Sequence, residues 1–192
     1  MDMDPGGGAP VPNTYFRPRE SERGIYTEKK IGDEWTALWE TDSLPEDAVV
    51  THLTMIPYRG ERVVSAYRDG INHLPEDDVK AGENVVDGMK RIALEQAGIA
   101  HAKSRHLGHF TYTAGTRNPD YPAGAKVYQA LYVLEVTELA DGPSDERFER
   151  RMILQRDLNQ ILRTNYVERR REYADALDAW LLERLKAQNT AN

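Results

Sequence analysis

The chain has 192 residues, 40% of them hydrophobic and 30% charged, which is enough to bury one core. It contains no cysteine, which excludes a disulfide scaffold, a zinc ribbon, an iron–sulfur cluster and a thiol nucleophile. The net charge of −7 disfavours nucleic-acid polymers as partners, and no stretch is apolar enough to span a membrane. We therefore expect a cytoplasmic protein. Eighteen of its 25 basic residues are arginine, a bias associated with bacterial genomes rich in G and C.

The N-terminal residues 1–20 contain three consecutive glycines and four prolines, which predicts a flexible arm. A single domain is expected over residues 21–187, followed by a C-terminal tail at 188–192. Early in that domain, Trp35 and Trp39 lie four residues apart after a turn. Their spacing suits either a helical turn or the second arm of a hairpin.

The middle of the chain predicts strands on both sides of one helix. The helix spans Gly82 to Ala97, where apolar residues recur at three- and four-residue spacing, and Gly98 suits a left-handed helix end. An α+β fold is expected, with a mixed sheet and helices packed on its faces. The predicted strands cover 48–57, 61–67, 105–114, 125–139 and part of 148–155, and the terminal helices cover 157–162 and 165–187.

One segment carries recognisable chemistry: residues 70–99, GINHLPEDDVKAGENVVDGMKRIALEQAGI. It resembles the signature of the Nudix superfamily, G-x5-E-x7-R-E-U-x-E-E-x-G-U with U aliphatic, usually preceded by Leu-Pro-Gly-Gly. The resemblance covers roughly residues 45–187. It implies a Nudix-type α/β/α sandwich with a long C-terminal helix, and hydrolysis of a diphosphate-linked small molecule of the nucleoside diphosphate derivative class. The matching positions, without a gap, are Leu74, Pro75, Gly82, Glu83, Arg91, Glu95, Gly98 and Ile99.

The motif is degenerate where the family binds metal. The resemblance implies that three glutamates on one helix face hold Mg²⁺ or Mn²⁺. Here those positions are Ile92, Glu95 and Gln96, so one carboxylate of three remains. A hard divalent cation prefers several anionic oxygens. We therefore expect this helix to bind metal weakly or not at all.

Three acids precede the helix where the family has glycines, namely Glu76, Asp77 and Asp78. One interpretation is a relocated metal site in which Glu76 or Asp77 joins Glu83 and Glu95. The other is an exposed acidic turn, retained at Asp77 because aspartate tolerates a positive φ, beside a helix N-terminus that favours negative charge. The candidate metal ligands are thus Glu95, Glu83, Glu76 and Asp77.

The candidate catalytic residues are Glu95, Glu83, Arg91 and His73. Glu83 is expected in the first turn of the helix, and Arg91 is expected to pair with Asp87 and Glu95. In the family this arginine orients a glutamate. His73 directly precedes the Leu-Pro pair and is a candidate general base, better placed than His52.

The loop over 115–124 combines a cation, amides and an aromatic side chain, so it is a candidate specificity loop. Its predicted substrate-binding residues are Arg117, Asp120 and Tyr121. The nearby histidines at 101, 106 and 109 fit no metal-binding pattern, because neighbouring residues of a strand alternate between its faces.

Two classes of function remain open from the sequence. One is a divergent Nudix-type hydrolase with an altered or weakened metal site. The other is a non-hydrolytic Nudix-like protein that binds a small molecule or a partner, or that runs metal-independent acid–base chemistry with groups such as Glu95 and His73. The apolar stripes around Trp35 and Trp39 and on the C-terminal helix also suit a homodimer.

Overall fold

The computed structural model describes residues 26–191, so the predicted arm at 1–20 lies outside the described residues. That part of the chain forms nine strands and three helices. The strands are β1 (Lys29–Ile31), β2 (Trp35–Glu40), β3 (Val50–Arg59), β4 (Arg62–Arg68), β5 (Ile71–His73), β6 (Glu76–Asp78), β7 (Ile99–Ala114), β8 (Lys126–Leu139) and β9 (Glu149–Ile153). The helices are α1 (Val85–Ala97), α2 (Gln155–Asn165) and α3 (Arg170–Thr190).

All nine strands belong to one mixed sheet with the order β1-β2-β7-β8-β3-β4-β5. Strand β3 is parallel to β8, and the other pairings are antiparallel. On its other side β3 has two partners in succession, β6 along its first half and β4 at its end. Strand β9 then pairs with β4. The α+β class and the mixed sheet are therefore confirmed.

Each face of the sheet buries its own apolar cluster. Along β3, Leu53 and Met55 pack with α1 on one face, whereas Ile56 and Tyr58 pack with α2 and α3 on the other. This alternation follows from the two-residue period of a strand. We call the two surfaces the α1 face and the α2/α3 face. The α/β/α sandwich with its long C-terminal helix is thus confirmed, and no helix within residues 26–191 is long and apolar enough to cross a membrane.

The Trp35–Trp39 segment is the second arm of a hairpin, strand β2, which pairs with β1 and with β7. Trp39 is 3% exposed and packs edge-on against Phe110 with ring centroids 5.0 Å apart. A spacing of four residues puts two side chains on one face of a helix and also on one face of a strand. That ambiguity is why the sequence left both structures open.

Helix α1 begins later than its apolar pattern predicts. Asn84 is the N-cap, and its side chain accepts a hydrogen bond from the Asp87 amide. Glu83 therefore precedes the helix, and its predicted place in the first turn is wrong. The predicted C-cap is confirmed, since Gly98 has φ +61° and its N–H reaches the Leu94 carbonyl. At the other end of the chain, α3 continues to Thr190, beyond the predicted domain boundary.

Strand β7 starts at Ile99 rather than at 105, because the chain enters the sheet directly after Gly98. Its register against β8 shifts between His106 and Gly108, so Leu107 is an extra, bulged residue. A Cβ atom at Gly108 would lie 2.3 Å from the Trp39 ring, which only glycine avoids. The bulge resets the alternation of side chains along β7.

Candidate functional site

The acids that precede helix α1 form a strand, not a turn. Strand β6 pairs antiparallel with His52–Thr54 of β3, and among the described non-glycine residues Asp69 alone has a positive φ. The predicted turn at Asp77 is therefore wrong. In a strand, neighbouring side chains face opposite ways. Asp77 accordingly lies on the α1 face, whereas Glu76 and Asp78 lie on the α2/α3 face with His52.

The α1 face gathers its acids around the guanidinium of Arg91. Its Nε and Nη2 donate to the two carboxylate oxygens of Glu83 at 2.7 and 3.0 Å, and its Nη1 donates to Glu95 at 3.2 Å. The carboxylate of Asp77 lies 3.7 Å from the same Nη1. The predicted pair with Asp87 is wrong, since Asp87 is bound by the capping Asn84.

These contacts favour the charged forms of Glu83 and Arg91. The hydrogen bond from Arg91 and the backbone N–H of Lys80 lower the pKa of Glu83 to about 2. The contacts with Glu83 and Glu95 raise the pKa of Arg91, against a smaller opposing effect of burial. Three of the predicted catalytic residues are thus in contact with one another, as an ion-paired network rather than as free acids.

The two departures from the family motif on this helix have structural roles. The Gln96 side chain makes two hydrogen bonds to the main chain of Glu76: its Oε1 accepts from the N–H at 3.0 Å, and its Nε2 donates to the carbonyl at 2.8 Å. We call this contact the Gln96 clamp. Ile92 is 0% exposed in the core of the α1 face. Ile92 is therefore closed to a ligand, and the amide of Gln96 is already engaged by the main chain of Glu76.

These residues do not fit the divalent cation that the family resemblance implies. The guanidinium of Arg91 occupies the space between Glu83, Glu95 and Asp77, where it engages all three carboxylates and would repel a cation placed among them. Glu76, the fourth predicted ligand, has its carboxylate on the opposite face of the sheet. Within residues 26–191 no group of three histidines or acids is arranged to hold a metal ion. The structure therefore does not join Glu76 to Glu83 and Glu95, whereas Asp77, the other predicted partner, reaches the same guanidinium as these two acids.

On the α2/α3 face, Glu76 and Asp78 flank the imidazole of His52. Asp78 lies 2.8 Å from Nδ1, and Glu76 lies 3.5 Å from Nε2. Burial lowers the pKa of His52, but the contacts with these two carboxylates outweigh it and leave the pKa raised. Burial on its own raises the pKa of Glu76. Its contacts with His52, Tyr166 and Thr54 outweigh burial and leave the pKa lowered.

The sequence placed His52 below His73, and it missed Tyr166 as a partner of Glu76. The signal for His52 was its position two residues before Thr54 in a predicted strand, which puts both side chains on the same face. The partner strand β6 was not predicted. Tyr166 comes from the end of α2, far away in the chain. No local pattern links Tyr166 to Glu76.

A polar cavity of about 310 Å³ opens on the α1 side, between strands β5 and β6, helix α1 and the loop before β9. It brings together His73 and Glu95, two of the predicted catalytic residues, and it is near the lower end of ligand-pocket volumes, roughly 300 Å³. We call it the motif cavity. Its lining residues are Arg68, His73, Leu74, Glu76, Asp77, Glu95, Gln96, Asp145, Arg147 and Phe148.

Two of the residues that line the motif cavity form a tight ion pair. Arg147 donates from Nη2 to Asp145 at 2.6 Å and from Nε to both carboxylate oxygens. This contact and the Arg147 backbone N–H lower the pKa of Asp145 to about 2. Sequence reasoning missed Arg68, Arg147 and Phe148, which lie outside the motif.

The predicted specificity loop lies elsewhere. Arg117 pairs with Asp33 at 2.9 Å, and the Tyr121 ring packs against Trp35 with centroids 5.2 Å apart. Tyr121 borders a second cavity, of about 450 Å³, and the structure does not bring this loop to the motif cavity. The Asp120 N–H is bonded to Asn118 within the loop. A substrate-binding role of Arg117, Asp120 and Tyr121 stays a prediction.

Two of the three clustered histidines meet, contrary to strict alternation. The bulge at Leu107 turns His106 and His109 to the same face, where His106 Nε2 lies 3.2 Å from His109 Nδ1. Burial and the neighbouring His109 lower the pKa of His106 to about 4. His101 points to solvent and pairs with Glu138 at 3.7 Å.

No protein-family model matches the chain, and no curated protein sequence matches it. Among solved structures, a mutant of the Bacillus subtilis pyrophosphohydrolase BsRppH is 18% identical, with a TM-score of 0.47 over 65% of this chain and 73% of that one. A protein described as an ADP compounds hydrolase is 12% identical, with a TM-score of 0.49 over 84% of this chain and 94% of that one. Similarity at this level concerns the general course of the chain and assigns no site or activity.

Proposed function

We propose that the protein is a divergent Nudix-type hydrolase that acts on a diphosphate-linked small molecule, of the nucleoside diphosphate derivative class, in the motif cavity. The single observation that carries the proposal is that His73 and Glu95, predicted from the motif, border one polar cavity that also contains arginines. Arginine is well suited to phosphate oxygens, and an acid or an imidazole can move a proton.

Within that proposal the residues have distinct roles. His73 accepts a proton from the attacking water while the water oxygen bonds to one phosphorus and the bridging P–O bond breaks, so that the second phosphate leaves as an anion. Glu95 holds the water beside His73. Arg91 is a positioning residue, because it fixes Glu83 and Glu95 through its own hydrogen bonds. When present in members of the family, the divalent cation neutralises phosphate charge. The residues here do not fit that cation, so no step is assigned to it.

A second candidate function is binding without hydrolysis. It is favoured by one specific observation: the two missing metal-ligand positions are filled by core packing at Ile92 and by the Gln96 clamp. A cavity that retains its arginines but lacks a metal site can bind a phosphorylated small molecule without cleaving it. Acid–base chemistry on another metabolite by Glu95 and His73 is a variant of this candidate.

The test is an assay for product release from ADP-ribose and from a nucleoside diphosphate sugar, with EDTA, with Mg²⁺ and with Mn²⁺. Chromatography of the nucleotides measures cleavage. Cleavage that is lost in Glu95→Gln and retained in Glu138→Gln, an exposed glutamate on β8, supports the hydrolase. Binding of the compounds without cleavage supports the second candidate, and neither binding nor cleavage would refute both.

We also propose a cytoplasmic protein, and the homodimer stays a prediction. The apolar stripes that suggested a dimer are largely used in the core, since Trp39 is 3% and Trp180 5% exposed. Light scattering after gel filtration measures the mass of the particle. A monomer mass would contradict the dimer.

A further inference from the structure

One guanidinium in the motif cavity has no hydrogen-bond partner within residues 26–191. The Nε of Arg68 is buried and unsatisfied, and its nearest acid, Asp69, lies 3.3 Å away without hydrogen-bond geometry. A buried donor without an acceptor costs free energy, so such a group calls for an explanation. The Arg68 side chain as a whole is 41% exposed, so the rest of its guanidinium is open to a ligand that accepts hydrogen bonds.

The neighbouring structure holds this guanidinium in place. Its Cζ lies 5.0 Å from the ring centroid of Phe148, in a cation–π contact. Arg68 ends β4, and the tight turn that follows has Asp69 at φ +54° and Gly70 at φ +81°, values typical of a two-residue hairpin turn. A stacked side chain next to a tight turn loses less entropy when a ligand binds.

The guanidinium groups of the other two arginines near the cavity are already bound by carboxylates. Arg91 is bound by Glu83 and Glu95, and Arg147 gives its Nε and Nη2 to Asp145. Arg68 alone of the three makes no hydrogen bond to a carboxylate among the described residues. Asp145 also interacts with Arg68, but its carboxylate is bound by Arg147, so Arg68 is the cavity arginine left for a ligand.

We propose that Arg68 is the anion-binding residue of the motif cavity and contacts a phosphate group of the ligand directly. This inference rests on the function proposed above. The planar fork of a guanidinium matches two oxygens of one phosphate, and it needs no metal ion between them. Asp77 and Glu95 repel negative charge, so they confine the phosphate to the Arg68 end of the cavity.

The chain contains a matched control for this residue. Arg151 on β9 also stacks on an aromatic ring, with its Cζ 3.3 Å from the centroid of Tyr67. Its Nε is paired with Glu149 at 3.2 Å, and it does not line the motif cavity. Both arginines are on the β4–β9 ribbon and about equally exposed, 41% for Arg68 and 42% for Arg151. Each replacement removes one positive charge.

The test is calorimetric titration of the full-length protein with ADP, in EDTA and separately in Mg²⁺. We expect the wild type to bind in EDTA, Arg68→Gln to bind about 10- to 100-fold more weakly, as for the loss of charge-assisted hydrogen bonds, and Arg151→Gln to bind within about twofold of wild type. Thermal unfolding of all three proteins checks that the variants are folded.

Each other outcome overturns the inference. Equal affinities of wild type and Arg68→Gln would show that Arg68 makes no contact, and equal losses in the two variants would show an effect of net charge alone. Binding only in Mg²⁺ would assign the phosphate to a metal ion and leave the proposed function intact. Absence of ADP binding overturns the inference, and it overturns the proposed function as well if the product-release assay is also negative.

Discussion

Strand β6 presents acids to both faces of the sheet, and each face sets a different basic side chain beside them. On the α1 face, Asp77 lies beside Arg91, which also binds Glu83 and Glu95. On the α2/α3 face, Glu76 and Asp78 flank His52. A guanidinium stays charged at every pH that a folded protein tolerates, whereas an imidazole loses its charge near neutrality.

The two faces hold the acids of one strand in different ways. The α1 face sets a permanent side-chain cation among its acids, with the apolar Ile92 and the Gln96 clamp beside it. The α2/α3 face depends on a proton instead. The contact of the β6 acids with Arg91 is therefore independent of pH, whereas their contact with His52 depends on it.

The largest expected effect comes from placing a carboxylate at position 92. Ile92→Glu places an ionisable group at a site that is 0% exposed, and we expect it to lower the free energy of unfolding by about 3–5 kcal/mol. Urea denaturation measures the loss. Leu94→Glu, at a position 38% exposed on the same helix, is the control and should change stability by less than about 1 kcal/mol. Equal stability of the two variants would show that the α1 face has room for the acid.

A smaller effect is expected from the Gln96 clamp. Gln96→Glu keeps the acceptor for the Glu76 N–H but sets a carboxylate oxygen against the Glu76 carbonyl, so we expect a loss of about 1–3 kcal/mol at neutral pH. The control is Gln160→Glu, the same change at an exposed helix position. An unchanged urea midpoint for Gln96→Glu would mean that the clamp contributes nothing to stability.

The α2/α3 face should respond to pH on the alkaline side. The folded state raises the pKa of His52 above 6.5, so its contribution is complete below about pH 6.5 and is lost as pH rises through the folded pKa. In His52→Gln, the decline in stability between pH 6.5 and 8.5 should be smaller than in wild type. Urea unfolding across this range measures it, and His101→Gln removes an exposed histidine as control. Parallel profiles for wild type and His52→Gln would contradict the assignment.

His106 should show the opposite sign. Its folded pKa is lowered to about 4, mainly by burial, so the neutral form is favoured and stability falls as pH drops from about 6.5 towards 4. We expect His106→Gln to lose less stability than wild type over this acidic range. Urea unfolding of both proteins between about pH 6.5 and 4 measures this difference. A steeper acidic decline in the variant would show that the buried pair favours protonation.

The smallest effect is expected at the predicted specificity loop. Arg117 and Asp33 are about three-quarters exposed, and an exposed ion pair contributes roughly 0–1 kcal/mol. Arg117→Gln should therefore leave the urea midpoint nearly unchanged. The ADP affinity of Arg117→Gln tests whether the loop takes part in ligand binding. Weaker binding in this variant would support the predicted substrate-binding role.

The sequence predicted the elements whose signals are local. Helix α1 and its Gly98 cap follow from apolar spacing and one glycine, and His73 and Glu95, both chosen from the motif segment, line one cavity. The acidic strand β6 was missed because Glu-Asp-Asp has low strand propensity, and its pairing with β3 overrides that preference.

The pair of Arg68 and Phe148 was out of reach for a different reason. These residues are far apart in the chain, and they meet only because β4 pairs with β9. Strand pairing over such a separation depends on the whole sheet, since each strand edge has several competing partners. A residue that lines the motif cavity but lies outside the motif therefore cannot be recognised from its local sequence.

The Gln96 clamp has a consequence for motion. The amide proton of Glu76 is bonded to a helix side chain rather than to a neighbouring strand. Its exchange with solvent therefore requires β6 and α1 to separate, even if the rest of the sheet stays closed. The protection of this single amide thus reports the local opening that would widen the motif cavity.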